Sequence, residues 1–305
     1  MCCLDLFNGN IRIVCLSNLH QKPFLKVHKT IPFNPETLQE NLEEMVAKNH
    51  LAGMACSWML TPDKYQVLTL DELPVLAEEF QSAIRWQIRK LLSFPIEDAY
   101  IDSISIPPAQ ISNPKKLIMI VAAQASYIQP MTERINNSGL KLITIDIPEL
   151  AWRNISALYE SEDDLSTALI YLQDKNSNLI ISRQKLFYLS RRLDWSLDTL
   201  LKSKNNLEAM QHYVDNLALE IRRSFDYFQS QWRVPAPSRV IIVPQQATPI
   251  DVTSYLSQRL AFPLQALDLN QKIETHNRIS VDEQGRYLTL IGGALREELS
   301  HATTN

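Results

Sequence analysis

Residues 2–16 read CCLDLF (2–7), NGN (8–10) and IRIVCL (11–16). The two apolar runs predict strands, and Asn8-Gly9 is the turn dipeptide of a tight β-hairpin. Residues 24–31 predict a third strand, Asn34-Pro35 predicts the cap and first position of a helix, and residues 54–60 predict a fourth strand. The first part of the chain therefore has the order β-β-β-α-β.

The second half of the chain repeats this order. Short apolar runs at 167–172, 178–182 and 186–190 predict three strands. Apolar residues spaced three and four apart between Met210 and Trp232 then predict a long helix, and residues 239–243 predict a buried strand. Two such units in one chain predict an α/β fold of the actin-like ATPase type, which is a ribonuclease-H-like duplication with two lobes.

The sequence also predicts where the lobes begin and end. An amphipathic helix between Leu73 and Leu91 and strands at 100–106 and 117–123 predict extra structure within the first lobe. We expect a first lobe at 1–157 with an inserted subdomain at about 65–125, and a second lobe at 158–286. A C-terminal helix at 287–305 is expected to pack back on the first lobe.

Composition narrows the classes of function. The net charge of −4 gives no reason to expect nucleic acid or an anionic membrane as a direct partner. No uninterrupted apolar run is long enough to predict a membrane-spanning helix. The cysteines, Cys2, Cys3, Cys15 and Cys56, lack the spacing of metal ligands, and we expect buried, reduced thiols and no metal site. We also expect no catalytic residue.

Four segments, in order along the chain, resemble the type IV pilus biogenesis proteins PilM and MshI; MshI belongs to the mannose-sensitive haemagglutinin (MSHA) system. The segments are EEFQSAIRWQIRKLLSFPIED (78–98), DIPELAWRN (146–154), LEIRRSFDYF (219–228) and YLTLIGGALR (287–296). The second segment resembles MshI most, and together they cover nearly the whole chain.

The resemblance implies an actin-like protein at the cytoplasmic face of the inner membrane. It implies binding to the cytoplasmic tail of a bitopic membrane protein, PilN or its MshJ-like counterpart. Because the sequence ends at Asn305 without a membrane segment, we expect peripheral attachment through that partner and no direct membrane insertion. The resemblance leaves open a homo-oligomer, and also a role like that of GspL in type II secretion.

An actin-like fold implies a nucleotide held by glycine-lined turns, yet the chain has only six glycines. In the first phosphate loop, Asp5 is followed by Phe7 where the family pattern has glycine. We interpret Asp5, Asn8, Gly9 and Asn10 as a vestigial nucleotide loop, with a plain hairpin turn as the favoured alternative.

The other two nucleotide loops depart further from the pattern. Residues 173–178 contain no glycine, and their acid is Asp174, next to Lys175. Residues 244–249 read PQQATP where a glycine cluster is expected. We therefore expect no cofactor, and a working ATP–Mg²⁺ site is the alternative.

A structural scaffold is the leading interpretation of the sequence. The partner's tail is expected to dock in an apolar groove between the first lobe and the inserted subdomain. The groove residues predicted from the sequence are Trp58, Leu60, Phe80, Ile84 and Trp86. The alternative for the same five residues is that they belong to the core.

Overall fold

The structure is a computed structural model that describes residues 1–19, 22–73, 75–111, 116–161, 164–175, 177–243 and 251–296. Contacts divide the chain into two compact units. The first unit comprises Met1–Cys15, Val27–Pro108 and Ser112–Pro148, and the second comprises Leu16–Lys26, Ala109–Ile111 and Glu149–Asn305. No helix among the described residues is long and apolar enough to cross a membrane.

The first unit contains most of a sheet in which five strands have the order β3-β2-β1-β4-β8, although residues 16–26 of β2 and β3 belong to the second unit. Its elements are β1 (Cys2–Phe7), β2 (Asn10–Leu19), β3 (Lys22–Pro32), α1 (Leu38–Lys48) and β4 (Ala55–Met59). The predicted β-β-β-α-β order is confirmed. The last strand, β8 (Lys141–Asp146), is parallel to β4, which is parallel to β1, so these three strands end at the same edge of the sheet.

Helix α1 begins later than its sequence predicts. The Asn34 side chain accepts hydrogen bonds from the backbone N–H of Glu36 and of Thr37, at 3.1 and 2.9 Å. These bonds stabilise a turn, and the helix proper begins at Leu38. Asn34 therefore caps the turn before the helix, and the predicted start at Pro35 is wrong by three residues.

The cysteine prediction is wrong for two of the four residues. Cys2 and Cys15 face each other in the β1–β2 ladder and form a disulfide, with Cα atoms 4.0 Å apart. Cys3 and Cys56 are free and buried. Cross-strand neighbours in an antiparallel pair bring their side chains together, which the spacing of cysteines alone does not reveal.

The inserted subdomain has a sheet of its own, with the strand order β5-β7-β6. Its elements are β5 (Tyr65–Asp71), α2 (Ala77–Ile88), β6 (Ala99–Ile106) and β7 (Leu117–Gln124). Ile84 and Ile88 of α2 pack with Ile118 and Ile120 of β7 in its core. Helix α3 (Ala125–Asn137) then returns the chain to β8.

The second unit repeats the first plan on a sheet with the order β11-β10-β9-β12-β13. Its first elements are α4 (Pro148–Ala157), β9 (Thr167–Tyr171), β10 (Ser177–Arg183), β11 (Leu186–Leu193) and α5 (Leu197–Lys202). They are followed by α6 (Leu207–Trp232), β12 (Arg239–Val243), α7 (Val252–Leu260), β13 (Leu264–Ala266), β14 (Glu274–Thr275) and α8 (Val281–Ala294). The short strand β14 pairs with Phe24 and Leu25 of β3, which belong to the same unit.

The boundaries of the units differ from the predicted ones. The division falls after Pro148 instead of residue 157, because α4 packs against α8. Trp152 Nε1 donates to Thr289 Oγ1 at 2.9 Å, and Asn154 Nδ2 donates to the Gly292 carbonyl at 2.8 Å. Helix α8 begins at Val281, not at residue 287, and its contacts with α4 lie within the second unit.

Candidate functional site

The first hairpin places a buried acid opposite a cation. A two-residue turn at Asn8-Gly9, with φ of 49° and 71°, fixes the β1–β2 register so that Asp5 faces Arg12. Arg12 Nε donates to Asp5 Oδ1 at 2.8 Å, and Arg12 Nη2 also contacts Asp5 Oδ2. Asp5 is only 3% exposed. Both oxygens of the predicted nucleotide-loop acid are therefore bonded within the hairpin.

Phe7 and the turn complete this hairpin. The Arg12 guanidinium carbon lies 4.5 Å from the centre of the Phe7 ring, and Phe7 is 40% exposed. Asn10 Nδ2 donates to the Asn8 carbonyl at 2.9 Å, and the Gly9 carbonyl accepts from Phe33 N. The positive φ of Asn8 and Gly9 is what a two-residue hairpin turn requires, so a turn explains both residues without a ligand.

Burial sets the protonation chemistry around this hairpin. Desolvation raises the pKa of Asp5, although the hydrogen bond and charge of Arg12 act to lower it. Burial also raises the pKa of the Cys3 thiol, and nearby Cys56, Asp146 and Asp5 raise it further. Burial raises the pKa of Cys56 to about 12. Both free thiols are therefore neutral near pH 7 and are poor nucleophiles.

Asp146 is a second buried acid at the same edge of the sheet as Asp5. It is the last residue of β8, is 2% exposed, and its Oδ1 accepts from Ile147 N at 2.9 Å. Parallel strands bind ligands at their carboxyl ends, so this position is a candidate ligand position. Our sequence-based prediction of the site missed both Asp146 and Arg12. The available signal for Asp146 was an acid directly after the strand-like run at 140–145.

The second predicted phosphate loop is a hairpin joined to the next helix. Asp174 and Lys175 are exposed, and Asn176 lies outside the described residues. The Gln173 carbonyl accepts from Leu197 N at 2.9 Å, and the Asp174 carbonyl accepts from Asp198 N at 3.2 Å. These bonds tie the loop to the start of α5. The predicted adenosine loop, residues 244–249, lies outside the described residues.

The predicted groove does not bring its five residues together on one surface. Trp58 and Leu60 are buried in the first unit, and the Trp58 ring packs 5.6 Å from Tyr127. Ile84 lies in the core of the inserted subdomain, where Phe80 is half-buried beside it. Trp86 alone of the five is well exposed, at 82%, on the outer face of α2. Trp58, Leu60 and Ile84 are therefore core residues, because a large apolar side chain on a strand or helix usually faces the core.

Comparisons with known proteins show what this architecture resembles. No family model and no curated protein matches the chain. PilM in a PilM–PilN type IV pilus biogenesis complex matches at a TM-score of 0.69, with 18% identity over 97% of each chain. The protein has an actin-like fold. The cytoplasmic domain of EpsL, an inner-membrane component of the type II secretion system of Vibrio cholerae, matches at a TM-score of 0.47. It is 10% identical, over 85% of this chain and 94% of that one.

An actin-like fold implies Mg²⁺ and a nucleotide beside the first hairpin. Mg²⁺ requires oxygen ligands, and Arg12 contacts both oxygens of Asp5 and offsets the negative charge that would attract the ion. Phe7 packs on the same guanidinium and fills the position of the expected glycine. In this arrangement the residues of the first hairpin do not fit a Mg²⁺–nucleotide complex.

Proposed function

We propose that the protein is a scaffold of a type IV pilus assembly platform that binds the cytoplasmic tail of a PilN-like bitopic membrane protein. The observation that carries the proposal is the match to PilM of a PilM–PilN complex over 97% of each chain. The order of the four PilM-like and MshI-like segments supports it, and segment 146–154 favours the MSHA-type system with an MshJ-like partner. The protein is then peripheral at the cytoplasmic face of the inner membrane, attached through that partner.

We further propose that the scaffold works without a nucleotide and does not hydrolyse ATP. The Asp5–Arg12 pair and the packing of Phe7 support this. Calorimetry with Mg-ATP tests it directly. We expect no binding tighter than about 10 µM, which corresponds to roughly −7 kcal/mol. Tighter binding that is abolished by Asp5→Ala contradicts a degenerate site.

An ATP-binding protein is the second candidate, and one observation favours it. Asp5 and Asp146 are both buried carboxylates at the carboxyl edge of parallel strands. If a nucleotide binds there, Arg12 must leave Asp5 and contact phosphate instead. The candidate therefore predicts that Arg12→Ala and Asp146→Asn each weaken Mg-ATP binding measured by calorimetry, whereas the scaffold predicts no binding in any variant.

Trp86 is the residue through which we propose to test partner docking. Its ring is exposed on the inserted subdomain, and a large aromatic side chain is the usual anchor of a protein interface. The experiment measures binding of a peptide to the intact chain. The peptide is the N-terminal cytoplasmic tail of the bitopic membrane protein that is encoded by a neighbouring gene. We expect Trp86→Ala to weaken binding at least tenfold. Tyr227→Ala, which removes a 47% exposed aromatic ring from the second unit, is the matched control.

The outcomes separate the function from the docking position. If the wild-type chain does not bind the peptide, the scaffold proposal is wrong. If the wild type binds and the two variants bind equally well, the scaffold stands and docking through Trp86 is wrong. Neighbouring genes distinguish the pathways, because pilin genes favour the pilus and secretion genes favour the GspL-like alternative.

A further inference from the structure

The cleft between α6 and α7 contains polar groups that the proposed scaffold role does not use. A cavity of about 340 Å³ opens there, within the second unit. Its lining residues are Asp215, Ala218, Leu219, Arg222, Gln258 and Arg259. This volume lies at the lower end of the roughly 300–1,000 Å³ of small-molecule sites.

One wall of the cleft is a face of α6 that carries an apolar side chain next to a cationic one. Asp215, Leu219 and Arg222 are spaced four and three apart and so share one face of α6. Leu219 is 45% exposed and therefore presents apolar surface to the cleft. An incoming molecule therefore meets an aliphatic side chain directly beside a guanidinium group.

On the opposite wall, Arg259 is held in position by its neighbours. Its Nε lies 2.7 Å from Asp215 Oδ1, and its Nη2 donates to the Tyr255 hydroxyl at 2.7 Å. Its guanidinium carbon lies 5.0 Å from the centre of the Tyr255 ring. A guanidinium has five N–H groups. Within the described part of the chain, the two on Nη1 make no hydrogen bond, so they are available to a ligand.

Arg222 has more unused N–H donors than Arg259. It is exposed and makes no ion pair or hydrogen bond with any described residue. A guanidinium binds carboxylate and phosphate oxygens in a bidentate way, and fixing one arginine in advance lowers the entropy cost of binding. The negative charge of Asp215 offsets one of the two arginine charges and also holds Arg259 in place. The residues that line the cleft therefore keep a net positive charge.

We propose that the α6–α7 cleft binds a small organic anion, whose carboxylate or phosphate group contacts Arg222 and Arg259 while its apolar part packs on Leu219. This site is independent of the proposed scaffold role. An inorganic ion would leave Leu219 uncovered and most of the cavity unfilled. An organic anion with a short hydrocarbon chain covers the leucine and satisfies the arginines together.

The test titrates the full chain with hexanoate, hexyl phosphate, inorganic phosphate and the neutral control 1-hexanol. The readout is the nuclear magnetic resonance signals of the arginine Nε–H groups. We expect hexanoate or hexyl phosphate to shift the Arg222 and Arg259 signals with a dissociation constant in the millimolar range or below, that is, roughly −4 kcal/mol or stronger. The stronger of these two ligands identifies the anionic group. Inorganic phosphate should bind more weakly, and hexanol should cause no shift.

Arg222→Gln and Arg223→Gln form the matched pair of variants. Both arginines are exposed on α6, but only Arg222 lines the cavity, and neither substitution removes a described hydrogen bond. Arg222→Gln should weaken binding of the stronger ligand at least fivefold, and Arg223→Gln should change it less than twofold. The proposal is overturned if neither organic anion shifts the signals, if hexanol or inorganic phosphate binds as well as they do, or if the two variants behave alike.

Discussion

Replacing Arg12 with alanine should destabilise the first unit strongly. The Asp5 and Arg12 side chains are 4% and 15% exposed, so their ion pair lies in a region of low dielectric. Removing the cation leaves a buried carboxylate without its charge partner. Breaking a buried pair in this way costs about 3–5 kcal/mol of unfolding free energy. We expect Arg12→Ala to lower the free energy of unfolding by about this amount at pH 8.

The loss should shrink as the pH falls. Burial already raises the pKa of Asp5, and losing Arg12 removes an effect that lowers it. A carboxyl with a raised pKa in the folded state contributes full stability below its unfolded pKa, which is near 4. That contribution is lost as the pH rises through the folded pKa. Urea denaturation of Arg12→Ala should therefore show a smaller deficit, relative to wild type, at pH 5 than at pH 8.

Two further variants identify the cause of the loss. Asp5→Asn combined with Arg12→Ala removes the buried charge and should recover part of the stability at pH 8, and its deficit should not grow between pH 5 and pH 8 as that of Arg12→Ala does. Lys48→Ala breaks the exposed Lys48–Glu44 pair, whose side chains are 70% and 55% exposed, and should cost less than about 0.5 kcal/mol. An Arg12→Ala deficit below about 1 kcal/mol at pH 8, equal to that at pH 5, refutes the reasoning.

Two matched pairs of substitutions test the packing. In α8, an alanine Cβ at Gly292 would clash with the backbone oxygen of Ala151 in α4, so Gly292→Ala should lower the unfolding free energy by about 2–3 kcal/mol. An alanine Cβ at Gly285 meets no atom within 4 Å, so Gly285→Ala should raise the unfolding free energy by about 0.5–1 kcal/mol. Thermal unfolding measures both, and equal effects contradict the α4–α8 contact. Trp58→Ala should cost about 3–5 kcal/mol because the ring is buried, whereas Trp86→Ala should stay within about 0.5 kcal/mol. A small loss for Trp58→Ala in urea denaturation argues against its core position.

The sequence predicts the repeated part of the fold well because long periodic segments dominate it. The β-β-β-α-β order appears twice, with the short helix α5 added before α6 in the second unit, and the long helix α6 ends at Trp232 as the prolines after it indicate. The short elements α5, α7, β13 and β14 were missed, and so was the seven-residue strand β5. Helix α5 has six residues and β14 has two, so each spans fewer than two repeats of its 3.6-residue or 2-residue pattern.

The register of the first hairpin was also available from the sequence. A two-residue turn at Asn8-Gly9 pairs Phe7 with Asn10, and the same register pairs Asp5 with Arg12. Counting outward from the turn therefore gives both the ion pair and the Cys2–Cys15 pair. Residue type and spacing alone, from which we interpreted Asp5 and the cysteines, predict neither pair.

The predicted groove shows what the sequence does not encode locally. Trp58 and Trp86 are both tryptophans in apolar patterns, yet one is buried and the other is 82% exposed. Whether each tryptophan is buried depends on which face of its strand or helix packs against the rest of the unit, and tertiary packing decides this. The α6–α7 cleft likewise depends on how two helices on either side of β12 pack against each other.

Binding of the partner's tail with and without nucleotide tests the central claim most directly. The N-terminal peptide of the neighbouring bitopic protein is titrated into the intact chain, first alone and then with saturating Mg-ATP. A scaffold that works without a nucleotide predicts binding in both conditions, with dissociation constants within a factor of two. No binding, or a tenfold change on adding Mg-ATP, which is a coupling of about 1.4 kcal/mol, would contradict the claim.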